Sequence, residues 1–258
     1  MSNRLLKFTM VASIIILYAI PSTAGMTCKR VMELIREKND SKTQVTTISM
    51  KLIDQKGRTQ NKGLKIYAEQ IGDTQNVLTR FVAPKRAKGI GFLVSNESGN
   101  NNRYLYTPSD KKTRKVPEGD NHKSFQGTDF TYYDLSPHDV NEDSYDALKI
   151  EKYDGHDCYV CTSKPKNASD APYGKVVQWI RKDIYVPVLM KFYDPDGKFL
   201  KESKAVEINQ VDSYWTPMKT VMHNVQIDHK TVMEVKNINF NKKLPDKIFT
   251  KTYLESGR

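Results

Sequence analysis

The sequence predicts a mainly β protein: one helix, then an antiparallel meander of roughly ten strands that curls around a concave face. Three observations carry this. Apolar and polar residues alternate with a period of two through most of the chain beyond residue 42. The alternating runs are bounded by turn formers, as at Asn100-Asn101, Pro108-Ser109-Asp110 and Pro117-Glu118-Gly119. No interior stretch is rich enough in Gly, Ser or Pro to act as a linker, so the strands belong to one domain. The 258 residues suffice for a sizeable core, and 10% aromatics argue against disorder. Three cysteines are too few for a disulfide scaffold.

In chain order, the first feature is a leader. Arg4 and Lys7 precede an apolar run from Phe8 to Ile20, Pro21 breaks it, and Ser22 and Ala24 supply small residues two apart. This pattern predicts a secretory signal peptide over residues 1–24 and a single exported domain over 25–258. An uncleaved anchor and a lipidated Cys28 are the alternatives; the run is short for a span, and Gly25-Met26-Thr27 lacks the small residue that lipidation wants before the cysteine. Removing the leader takes two cations and no carboxylate from a net charge of +11. An exported basic protein points to anionic head groups or acidic partners rather than to nucleic acid, or equally to a solvated surface with no special partner.

Thr27 or Cys28 opens a helix with Val31, Met32, Leu34 and Ile35 on one stripe, and Asn39-Asp40-Ser41 ends it. Strands follow at Thr43 to Asp54, around Leu64 to Ala68, around Val77 to Phe81, at Ile90 to Ser95 and at Arg103 to Thr107. Residues 119–147 interrupt the series with polar residues and with Phe125, Phe130, Tyr132, Tyr133 and Leu135, which reads as a loop with a short helix or two lying across a sheet. Strands resume at Lys149 to Tyr153 and His156 to Ser163, paired across Asp154-Gly155. Lys175 to Arg181, Ile184 to Tyr193, Phe199 to Ile208, Tyr214 to Gln226 and Thr231 to Phe240 complete the meander, and Ile248 to Leu254 forms a tail. So many antiparallel strands curl, and the concave face must be filled by side chains, helices or an apolar ligand.

Catalysis finds little support. There is no Gly-x-Ser-x-Gly elbow, P-loop or His-Glu-x-x-His. His156, Cys158 and Cys161 form the one cluster with reactive potential, but residues three apart on a strand face opposite ways. We therefore read these cysteines as structural, with Cys28 a candidate partner for one of them in an oxidising compartment. His223 and His229 read as surface histidines, and His122 and His138 lack a partner pattern. No metal and no cofactor is expected. Lys85, Arg86 and Lys88, with Lys111, Lys112, Arg114 and Lys115, read either as solvated hairpin ends or as a contact for head groups or an acidic partner.

Ser124-Phe125-Gln126-Gly127-Thr128-Asp129-Phe130-Thr131-Tyr132-Tyr133-Asp134-Leu135 resembles the signature of the outer membrane lipoprotein-sorting protein family. Gly89-Ile90-Gly91-Phe92-Leu93, Tyr104-Leu105-Tyr106-Thr107-Pro108, the Trp179 strand, the turn from Tyr193 to Gly197 with Lys201 after it, and Phe249-Thr250 also fit that family. The resemblance implies a half-open antiparallel β-barrel whose concave face is covered by helices, with an apolar cavity for acyl chains. It implies a periplasmic carrier of lipid or lipoprotein, without enzyme activity, that makes transient membrane-surface contact and works with an inner-membrane lipid transporter. A periplasmic sensor or adaptor of the same fold is the alternative. Alternation nominates Ile48, Met50, Leu52, Leu64, Ile66, Phe81, Phe92, Tyr104, Tyr106 and Trp179 as cavity residues. Phe125, Gly127, Phe130, Tyr132 and Leu135 form the expected lid, with Asp129 and Asp134 as caps of its short helices.

Overall fold

The computed structural model describes residues 25–72, 74–97, 100–169 and 171–256. The expected leader over 1–24 lies outside the described residues. The helix opens as the sequence predicts: α1 spans Cys28–Lys38, and the Thr27 hydroxyl accepts a hydrogen bond from Arg30 N at 3.2 Å. Arg36 and Lys38 occupy its last turn, where cations oppose the negative end of the helix dipole.

Strands β1 (Thr43–Ile53), β2 (Thr59–Ile71), β3 (Thr74–Ala83), β4 (Gly91–Glu97), β5 (Asn100–Thr107) and β6 (Lys112–Lys115) form one run of hairpins. After residues 116–142 come β7 (Asp143–Tyr145), β8 (Lys149–Tyr153), β9 (His156–Pro165), β10 (Lys175–Arg181), β11 (Pro187–Tyr193), β12 (Phe199–Val211), β13 (Tyr214–Asn224) and β14 (His229–Phe240). The chain ends in a short helix, α2, at Lys251–Ser256. All the pairings are antiparallel. The strands make one sheet in the order β6-β5-β4-β3-β2-β1-β14-β13-β12-β11-β10-β9-β7, with β8 beside β9. Pairing of β1 with β14 joins the two halves of the meander, and β6 at one end and β7 with β8 at the other remain as edges, so the sheet is not closed.

The sheet curls. Seven steps of that order separate β4 from β11, which would be about 34 Å in a flat sheet. Yet consecutive residues of one segment link the two strands: Tyr132 lies 5.1 Å from Phe92, and Tyr133 reaches Phe192 through Tyr173, at 6.0 and 4.9 Å between ring centroids. Register shifts at Thr47/Ile48, Gly63/Leu64 and Ala205/Glu207 mark irregularities of the kind that bend strands.

The concave face carries the main core, built from Ile48, Met50, Leu64, Phe81, Phe92, Phe192 and Met222 with Phe125, Phe130 and Tyr132 above them. Most of the cover over this face is not helical. Residues 116–142 cross this face as irregular chain with two single 3₁₀ turns, Glu118–Asp120 and Val140–Glu142. Of the two α-helices among the described residues, α1 packs over β9 and β10, where Cys28 and Cys161 form a disulfide and Val31 meets Ile180 and Tyr159. On the convex face Tyr67, Leu78, Leu93, Tyr104 and Tyr106 are covered by Ile248 and Leu254 of the C-terminal segment. Arg80 fixes that segment by donating to the carbonyls of Tyr253 and Leu254 at 3.0 and 3.1 Å.

Candidate ligand-binding site

The site begins with the signature segment. Phe125 N donates to Phe130 O at 2.7 Å and Tyr132 N to Lys123 O at 3.2 Å, so residues 123–132 form a tight reversal. Gln126 and Gly127 turn it, both at positive φ (53° and 76°), a region glycine enters without a Cβ clash. The Ser124 hydroxyl donates to Thr128 O and the Thr128 hydroxyl to Phe125 O, which satisfies the turn's buried carbonyls. Its aromatic side points into the sheet: Phe125 stacks 5.4 Å from Phe81 and lies 5.7 Å from Phe92.

Polar anchors fasten it. Asp129 accepts from the Thr231 hydroxyl at 2.7 Å and pairs with His229 Nδ1 at 2.8 Å, while its own N–H donates to Thr231 Oγ1. Asp134 pairs with Lys201 Nζ at 2.6 Å, accepts from the Tyr173 hydroxyl at 2.8 Å and accepts from Thr131 N at 2.8 Å. Lys201 is only 2% exposed and also donates to Asp129 O. Buried charges are tolerated only when paired and hydrogen-bonded, and this pair is both. Burial, with the Asp134 charge adding to it, raises the Tyr173 phenol well above its usual range, so it remains a donor. Lys62 adds a bond from Nζ to Gln126 O. These two carboxylates dock loop onto sheet rather than cap helices, which corrects their expected role.

Beside the anchored segment lies a cavity of about 270 Å³. Its floor is a registered ladder across the second half of the sheet. Gln178 pairs with Met190, Met190 with Ser203, and Ser203 with Met222. Val176 and Phe192 form the adjacent rung. Phe130, Tyr133 and Tyr173 make the remaining apolar walls. Asp134, His138 and Asp143 add polar groups. Its volume sits just below the usual range for ligand pockets of about 300–1,000 Å³, which limits an occupant to one modest chain. Tyr133, His138, Pro165 and Ala171 also line a larger polar cleft of about 800 Å³, so the two spaces share a wall.

His138 sits on that wall. Its Nδ1 lies 2.9 Å from Glu142 and its Nε2 3.2 Å from Asp143. Burial alone would lower its pKa, but the hydrogen bonds to Asp143 and Glu142 outweigh this and push it up to about 9. His138 is therefore a cation at neutral pH, and with His229 it has the acidic partners that the sequence pattern did not reveal.

The sequence-nominated residues divide in three. Ile48, Met50, Leu52, Leu64, Phe81 and Phe92, with Ile66 at the margin, share the concave face, but Phe125 and Tyr132 fill the space above them. Leu135 packs against the same core, Gly127 forms the exposed turn, and Phe130 alone of the nominated residues lines the cavity. Tyr104, Tyr106 and Trp179 lie on the other face. Leu105 is the register partner of Phe92, so its neighbours Tyr104 and Tyr106 point to the convex side. Trp179 alternates with the cavity residue Gln178, and its Nε1 donates to Glu151 at 3.0 Å. Cys158, on the face opposite Cys161, is a buried free thiol whose pKa burial raises, which disfavours a reactive thiolate. Among the described residues no group of three or more His, Cys, Asp or Glu side chains is placed to hold a metal ion.

A family model described as an uncharacterized protein matches residues 73–256. No curated protein matches the sequence. An outer membrane lipoprotein-sorting protein domain from Vibrio parahaemolyticus is similar in structure at a TM-score of 0.82 and 25% identity, over 88% of this chain and 97% of that one. The chain belongs to the outer membrane lipoprotein-sorting protein family. Within that family's fold, a DUF1329 family protein from Desulfovibrio piger superposes at a TM-score of 0.83 with 22% identity, covering 88% of this chain and 97% of its own. A LolA superfamily protein from Nitrosomonas europaea superposes at 0.72 with 18% identity, covering 88% of this chain and 99% of its own. The lipoprotein-sorting fold thus spans both halves of the meander, the signature segment included. Among the described residues no helix is long and apolar enough to cross a membrane.

Proposed function

We propose that residues 25–258 form an exported, periplasmic carrier that holds an acyl chain of a lipid or lipoprotein and moves it toward the outer membrane. The observation that carries this reading is the cavity bounded by Phe130, Tyr173, Val176, Met190, Phe192 and Met222, which the protein's own side chains leave open. The Cys28–Cys161 disulfide supports an oxidising compartment. A methylene takes up roughly the 30 Å³ of a liquid water molecule, so the cavity admits about nine of them. At about 0.8 kcal/mol each, burial contributes roughly 7 kcal/mol, from which the cost of immobilising the chain is subtracted, so reversible binding weaker than micromolar is expected from the tail alone. The protein works by binding and release, without enzyme activity, and hands its cargo on from an inner-membrane lipid transporter through transient membrane-surface contact.

Native mass spectrometry of the purified protein tests this. One added mass matching a fatty acid or a lipid, lost in detergent, is the expected result. Met190→Trp together with Met222→Trp fills the cavity and abolishes the adduct while the fold persists by circular dichroism. A protein that never carries or takes up a chain would leave the adaptor reading, which the solid packing around Phe125 favours.

A further inference from the structure

The cleft beside the cavity is built differently from the cavity itself. Arg103, Lys115 and Lys166 line it from three separate elements, β5, β6 and the end of β9. Among the described residues none of the three has a carboxylate partner: Arg103 donates to Ser136 Oγ and Asn121 Oδ1, at 3.1 and 2.9 Å, and Lys166 to Asn141 O at 2.8 Å. Two carboxylates also line the cleft, Glu118 and Glu142. Glu142 is already taken by His138. Three cations, two of them held by neutral acceptors, therefore face one uncommitted acid, beside an apolar hollow. Charge-assisted hydrogen bonds from such groups are the means by which proteins hold carboxylates and phosphates.

We propose that the cleft is a head-group site, and that the ligand is a single-chain anionic amphiphile with its tail in the cavity and its carboxylate or phosphate on Arg103, Lys115 and Lys166. This rests on the carrier reading and adds to it the sign of the head group. Tyr133 and His138, shared by both spaces, mark where head meets tail.

Calorimetric titration of the full protein with decanoate, decanol and decyltrimethylammonium tests the assignment. Decanoate binds at least tenfold more tightly than decanol, and the cationic amphiphile binds weakest. Lys115→Gln with Lys166→Gln, and separately Arg103→Gln, bring decanoate to within about threefold of decanol. Retained decanol binding by each variant shows that the fold and cavity are intact, and the double lysine variant covers the case in which loss of Arg103 loosens Asn121 and Ser136. Equal affinity for decanoate and decanol in the unaltered protein overturns the head-group site and leaves the carrier reading standing. Failure of all three amphiphiles to bind overturns both. Inorganic phosphate does not displace decanoate at tenfold molar excess; displacement there would mark a site for free anions and overturn the amphiphile.

Discussion

Lys201 and Asp134 set the price of opening the signature segment. Both are nearly inaccessible, and each completes its hydrogen bonding through the other. Lys201→Met leaves Asp134 buried without its counter-charge, and we expect a loss of about 3–5 kcal/mol in urea unfolding. His138 provides a separate, pH-dependent contribution. Its folded pKa of about 9 lies above the ordinary histidine value near 6.5. The stability it adds is fully present below about pH 6.5 and is lost as pH rises through 9. The ring is partly exposed, so solvent screening keeps this below the roughly 3 kcal/mol that the full shift would give. Melting temperature should fall between pH 6.5 and 9 in the unaltered protein and fall less in His138→Gln. The sequence singled out Asp134 and Lys201 separately, but it did not show that they pair. Lys201 and Asp134 stand 67 positions apart, and no local spacing joins a strand lysine to a loop aspartate.

At the scale of elements, the strands themselves were legible because alternation is a local property of each one. Which face each strand turns inward was not, since that depends on register with a neighbour. Tyr104 and Tyr106 show this: their own strand alternates correctly, and only the pairing of Leu105 with Phe92 assigns them to the outside. The edge strands β6 and β7, four and three residues long, are too short to display a period. The signature segment was recognised by its residues, but its conformation was not, because side-chain anchors hold it where helical hydrogen bonds were expected. Phe125 is its deepest anchor, fully buried against Phe81 and Phe92. Phe125→Ala should cost about 3–5 kcal/mol in denaturant unfolding. The disulfide secures α1 in the same way. Replacing Cys28 and Cys161 by serine should cost about 2–5 kcal/mol and raise hydrogen exchange through α1 first, by mass spectrometry.

For the whole molecule, the two halves of the sheet divide the labour. The half from β1 to β5 is filled by the protein's own aromatic side chains, and the half from β9 to β13 keeps the hollow. In the carrier reading a chain would enter beside the signature segment, from the polar cleft that shares Tyr133 and His138 with the hollow, leaving the Lys201–Asp134 pair in place. Binding should then stabilise the native state by about 2.7 kcal/mol at a hundredfold excess over the dissociation constant, read as a melting temperature that climbs with ligand concentration. Leaving the sheet open creates two rims with unsatisfied backbone groups, an invitation for neighbouring molecules to add on strand by strand. Here one rim is a tetrad of Lys112, Thr113, Arg114 and Lys115, and the other is broken into β7 and β8, three and five residues long. Like charges repel a second copy at the first rim, and at the second the break between β7 and β8 and the charged Lys149, Glu151 and Lys152 oppose continuous pairing. The same openness that admits a guest thus does not condemn the protein to fibre formation when it is concentrated.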